Sequence, residues 1–192
     1  MSQRIGLISP PNIKLKPIPD DELREGWEWM QRLSKDHHFK PGSIKSKSTQ
    51  SYTRALSIGC IRAVNSYRRI ETVFPSSETY NAMTGRSSDI LGLIDAVVWE
   101  VSPPRDRMIQ ACGKDWQPHI TKMADYDHIN RVRQTLANPT HQFEMWGWQR
   151  YPGFRKNGTR AKTQFWYPRV QLITMDFMMG EAPPHFVRFW EA

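Results

Sequence analysis

Asp115 to Pro139 reads DWQPHITKMADYDHINRVRQTLANP, and its spacing predicts two short helices. Trp116, His119, Ile120 and Met123 recur at i, i+3, i+4 and i+7, the stripe of one helical face. His119 is then a titratable ring carried on a rigid element beside its own apolar anchors. A second helix is expected after Asp125 or Asp127, with Ile129, Val132 and Leu136 inward and Arg131 and Arg133 outward. It ends at Asn138-Pro139, because the residue before a proline is driven out of the helical region.

Downstream of Pro139 everything reads as strands. The aromatic-rich stretches 141–151 and 163–167 are joined around Asn157-Gly158, a hairpin dipeptide. A third strand is expected over 169–178, with Pro168 at its start or edge, and HFVRFW closes the chain. Upstream, the run ILGLIDAVVWEV at 90–101 suits a buried strand or a short helix, with Val97, Val98, Trp99 and Val101 favouring strand at its end. Ser102-Pro103-Pro104 is expected to open another helix carrying Met108, Ile109 and Cys112 inward, with Gly113 ending it.

The longest expected helix runs from Gln50 to Thr72 behind a Ser48 or Thr49 cap. Its apolar stripe is Tyr52, Leu56, Cys60, Ala63, Val64, Tyr67 and Ile70, and its flanks carry Arg54, Arg62, Arg68 and Arg69. KPGSIKSKSTQS before it has the composition of a basic loop. A shorter helix begins at Asp20 or Asp21, with Leu23, Trp27, Met30 and Leu33 at helical spacing. Four prolines before it predict an extended arm. The organisation read from the sequence is an arm over residues 1–21, a basic helical part over 22–75, a polar linker over 76–89 and a final unit over 90–192. The class is α+β: an N-terminal helical part, then short helices packed on a small antiparallel sheet.

Eight Trp, 8 Phe and 6 Tyr stand beside a formal net charge of +8. Phosphates attract the cations and bases stack on the rings, so the composition points to RNA or another nucleic acid as partner. The only cysteines, Cys60 and Cys112, form no CxxC pair, and no apolar run is long enough to span a bilayer. A reduced cytoplasmic setting and no membrane are the expectations. No phosphate-loop, dinucleotide, nucleophile-elbow or HExxH motif is present, and no cofactor or metal is expected.

What remains is a metal-free set of His, Arg, Lys and Tyr. Such groups suffice for RNA cleavage by its own 2′-OH, which needs a base, an acid and cations around the charged phosphorane. The candidate catalytic residues are His119, Arg150, Tyr151 and His185. The candidate nucleic-acid contacts are Arg54, Arg62, Arg68, Arg69, Arg155, Arg160, Lys162 and Arg169.

Trp116, His119 and Ile120 on a helix, Thr135, Leu136, Asn138 and Pro139 ending the next, and the Arg150-Tyr151 pair on a strand resemble the compact nuclease domains of the barnase, EndoU, colicin and RelE-like group of phages and toxin systems. The resemblance covers about Met108 to Ala192. It implies a metal-independent endoribonuclease with His119 as acid or base and Arg150 and Tyr151 binding phosphate. Where that group carries a second helical histidine this chain has Met123 and Ala124, with His128 on the next helix. The competing expectation is a non-enzymatic protein of a phage or mobile element that binds nucleic acid, or a host defence or replication complex, through its basic and aromatic surface.

Overall fold

The computed structural model describes residues 11–44, 48–75, 78–81, 86–89 and 92–192. Helix α1 spans Asp20–Asp36, with Asp20, Asp21 and Glu22 in its first turn and Lys35 in its last, charges that complement the helix dipole. After a single 3-10 turn (Pro41–Ser43), α2 runs Thr49–Arg68. The Ser48 side chain accepts from Ser51 N–H at 3.2 Å, satisfying one of the orphan donors of the first turn. The helix stops four residues before the expected Thr72, because Arg69 takes the left-handed conformation at φ 59°. This frees β1 (Thr72–Val73) to pair with a strand, Thr72 facing Glu100.

Strands β2 (Glu78–Asn81) and β3 (Arg86–Asp89) pair as a separate antiparallel ribbon within the segment that the sequence reads as linker. Then come β4 (Ala96–Val101), β5 (Pro104–Cys112), α3 (Gln117–Ala124), α4 (Tyr126–Leu136), β6 (His141–Phe154), β7 (Arg160–Ile173), the one-turn α5 (Met175–Met178) and β8 (His185–Val187). The chain is α+β, with a main sheet of order β1-β4-β5-β6-β7-β8.

The helix expected after Ser102-Pro103-Pro104 is instead strand β5. It lies between β4 and β6, and Ile109 to Cys112 are buried in succession. Met108, Ile109 and Cys112 stand at i, i+1 and i+4, a spacing that imitates one face of a helix, and pairing with β4 and β6 decides for strand. The antiparallel sheet is likewise amended at one place, where β5 and β6 run parallel. A parallel pair requires a long crossover, and the α3–α4 stretch supplies it.

Side chains along β6 alternate between two cores. Phe143 and Met145 join Trp116, Ile120, Met123, Ile129 and Val132 from the crossover helices. Trp146 and Trp148 join Leu56, Cys60, Ile61 and Val64 of α2 and Leu23, Met30 and Leu33 of α1. The two N-terminal helices therefore share a core with the sheet. Gly147 sits where the Trp116 ring lies on the strand, and a Cβ there would run into that ring. Gly26 does the same under Tyr167.

Candidate nucleic-acid interface

The arm owes its extended form to proline: Pro11, Pro17 and Pro19 fix φ and remove backbone donors. It is held by the polar groups that remain. Ile13 N–H donates to Gln117 Oε1 at 3.0 Å, and Gln117 Nε2 donates to the Pro11 carbonyl at 3.1 Å. Arg169 Nη2 donates to the Lys16 carbonyl at 2.7 Å. Ile13 and Leu15 pack on the crossover-helix core and Ile18 is buried in the other. By the two-residue alternation of an extended chain, Lys14 and Lys16 face outward and are exposed.

Two adjoining cavities open beside this arm. The larger, about 610 Å³, lies between the arm and the β8 segment and is lined by Lys14, Lys16, Arg169, His185 and Arg188, with Glu22 and Glu191. The second, about 390 Å³, runs along the β6–β7 hairpin past Gln149, Tyr151, Arg160 and Asp20. Lys16 and Arg169 line both, so the two form one basic groove. Arg160 is paired with Asp20 at 2.5 Å, and Arg188 with Glu25 at 2.9 Å and Glu191 at 3.7 Å. Among the described residues Lys14 and Lys16 have no carboxylate partner.

Aromatic groups line the same groove. Arg169 lies 5.2 Å from the Phe186 ring centre, and the Tyr151 hydroxyl donates to Gln149 Oε1 at 2.7 Å. Burial pushes the Tyr151 phenol up, with Arg169 pulling it down and Glu22 pushing it up. It stays protonated at neutral pH and can donate a hydrogen bond, but it is no base. Tyr167, which donates to Glu22 at 2.8 Å, is raised further, by burial first and then by Glu22.

The groove thus gathers four of the residues singled out from the sequence: Tyr151, Arg160, Arg169 and His185. The others lie elsewhere. Arg150 follows Gln149 and precedes Tyr151 on one strand, so its side chain leaves the opposite sheet face, where its guanidinium carbon stands 4.7 Å from the Trp166 ring centre. The adjacent Arg-Tyr pair therefore cannot grip one phosphate together. Arg62 is laid over Phe74 at 4.6 Å, Arg68 donates to the Trp190 carbonyl at 3.3 Å, and Arg54 and Arg69 complete the row along α2 and its cap. Arg155 and Lys162 are exposed on the hairpin.

His119 lines a separate cavity of about 420 Å³, together with Lys122 from α3, Gln50 and Thr53 from α2, and Gln110 and Cys112 from β5. Behind it the buried Asp95 carboxylate accepts from Gln110 Nε2 at 2.5 Å, Ala111 N–H at 2.7 Å and Gln50 Nε2 at 3.3 Å. Burial raises the Cys112 thiol to about 12, with Asp95 and Asp115 adding to it, so it is not a thiolate nucleophile. Among the described residues no three His, Cys, Asp or Glu side chains are placed to hold a metal ion, and no helix is long and apolar enough to cross a membrane.

Sequence reasoning passed over two features. The period-two pattern Ile13-Lys14-Leu15-Lys16 signalled the basic edge of the arm. The other is a buried ionic network under α2, joining Glu100, Arg107 and Glu144 of three neighbouring strands. Asn65 and Arg105 also donate to Glu100, and Trp146 Nε1 and Gln142 to Glu144. Reading 104–112 as a helix hid the alternation that sends Arg105 and Arg107 to one face. Compared with known proteins, the chain matches no family model, no curated protein and no solved structure.

Proposed function

We propose that this chain binds single-stranded nucleic acid, RNA foremost, in the groove between the proline arm, the β6–β7 hairpin and β8. One observation carries the reading: Lys14, Lys16 and Arg169 line a continuous groove, and among the described residues the two lysines have no carboxylate partner. Unneutralised cations along a groove suit a phosphate backbone, and Phe186 and Tyr151 offer it ring surface. The test is the affinity for a mixed-sequence RNA oligonucleotide as a function of salt. Log affinity should fall linearly with log salt, and Lys14→Ala and Lys16→Ala should each reduce the slope by about 0.7. Affinity that ignores salt, or variants that keep the wild-type slope, would refute it.

The second reading is the metal-independent endoribonuclease centred on His119. It is favoured by His119 and Lys122 opening together into one cavity, a proton carrier beside a cation. Arg150, Tyr151 and His185 stand outside that cavity, so the reaction would rest on His119, Lys122 and the amides around them. RNA cleaved in EDTA by the wild type and left intact by a folded His119→Ala protein would support this reading. Intact RNA with both proteins would leave the binding reading alone in place.

A further inference from the structure

Resting on the nucleic-acid reading above, we propose that the cavity at the free edge of β7 is a base pocket: it takes one unstacked base of a bound RNA strand, stacked on the Arg150 guanidinium. Strand β7 pairs with β6 from Arg160 onward, but β8 reaches only Val170 to Leu172, so the half of β7 before Val170 is an open edge. Against that edge, α1 sets Trp27 and Gln31 opposite Gln164 and Trp166, enclosing about 310 Å³. That volume is at the small end of ligand pockets, which run from about 300 Å³.

Among the described residues Arg150 is the only charged side chain in its lining. Its guanidinium carbon stands over the Trp166 ring, 4.7 Å from the ring centre, and Tyr52 tilts against that ring with centroids 5.5 Å apart. Among the described residues it has no carboxylate or carbonyl partner. Arg150 is exposed, so a cation held over the indole there keeps surface and N–H groups for a ligand. Bases stack on guanidinium planes and aromatic rings alike. Trp27, held edge-on to Phe165 at 5.1 Å, forms part of the wall, and the amides of Gln31 and Gln164 present both donors and acceptors to a base edge.

An extended peptide added to the edge would need a run of backbone donors. Pro168 removes one, and α1 stands close against the edge, so strand addition is disfavoured. A nucleic-acid strand has a short path to the pocket. Arg160 lines the basic groove, Thr163 lines the pocket three residues on, and exposed Lys162 lies between them. The separation is about 10 Å of strand rise.

The experiment uses the full chain and a short oligouridine carrying iodouridine, which cross-links on irradiation to the aromatic ring it stacks near. Cross-links mapped by mass spectrometry should fall on peptides containing Trp27 or Trp166. Arg150→Ala should weaken binding about tenfold, the lower range for loss of one base stack, with the salt slope changed by no more than one phosphate. Gln164→Ala, at an exposed position, should weaken binding without touching the fold. Cross-links confined to arm and β8 peptides, with both variants binding as wild type, would overturn the base pocket and leave the groove standing. Absence of RNA binding by the wild type would overturn both.

Discussion

Replacing Arg107 by methionine tests how the sheet tolerates three charged side chains in its core. Arg107 donates Nε and Nη2 to the two oxygens of Glu144 at 2.6 and 2.7 Å, and Nη1 to Glu100 Oε1 at 3.1 Å. Its side chain is 1% exposed, and those of Glu100 and Glu144 are 1% and 0%. Methionine keeps much of the apolar stem but strands two carboxylates out of water. Removing one partner of a buried pair costs about 3–5 kcal/mol, a large share of a native stability of about 5–15 kcal/mol. With a guanidinium slope of about 4 kcal/mol per molar, the unfolding midpoint should drop by roughly 1 M. Far-ultraviolet circular dichroism and tryptophan fluorescence would both follow the transition, the latter because Trp146 Nε1 donates to Glu144 at 2.7 Å.

The pH dependence supplies a second arm. In the wild type, burial pushes the Glu100 carboxyl up, but Arg107, Asn65 and Arg105 outweigh it and hold it below its ordinary value of 4.5. Its contribution to stability is therefore complete above that value and lost as pH falls through the lowered one. In Arg107→Met burial acts on Glu100 without that guanidinium, which raises its value, so the variant regains stability on acidification as the carboxyl takes a proton. The deficit should be largest near neutrality and shrink toward pH 4.5. A deficit below about 1 kcal/mol at neutral pH, or one that does not vary with pH, would refute the reasoning.

Gly147→Ala should lower stability by about 1–3 kcal/mol, read as a denaturation midpoint, because the new Cβ meets the Trp116 ring and displaces α3. Gln171 is wholly buried, and among the described residues neither of its amide atoms has a hydrogen-bond partner; Gln171→Met should raise stability by about 1–3 kcal/mol, and a loss of stability would show that the amide is satisfied. Cys60 and Cys112 are buried, and burial raises both thiols, Cys112 to about 12. At about pH 8 the native protein should not react with a thiol reagent while the denatured protein titrates both; rapid native reaction would contradict the burial. Arg169→Ala should both loosen the arm and reduce the RNA salt slope, because one guanidinium holds the Lys16 carbonyl and lines both cavities.

The local elements were legible because their causes are local. Leu23, Met30 and Leu33 mark the α1 stripe, Ser48 caps α2, and Trp116, Ile120 and Met123 are buried along α3. Asn157-Gly158 lies in the turn between β6 and β7, with Gly158 at φ 80°. Each depends on periodicity or backbone conformation within a few residues. Strand β5 escaped, since what makes 104–112 a strand is a pair of neighbours distant in sequence, β4 on one side and β6 on the other. Of the candidate site, the sequence named Tyr151, Arg160, Arg169 and His185 by residue type alone. Which of the basic residues share a groove is a tertiary matter: strand alternation sends Arg150 away from Tyr151, and the crossover carries His119 to a different cavity. Composition and periodicity by themselves determined an α+β chain of basic, ring-rich composition. Only the fold decided that the proline arm, by laying Lys14 and Lys16 beside Arg169, completes the groove, because a cation binds through the charges that stand around it in space and not through those beside it in the chain.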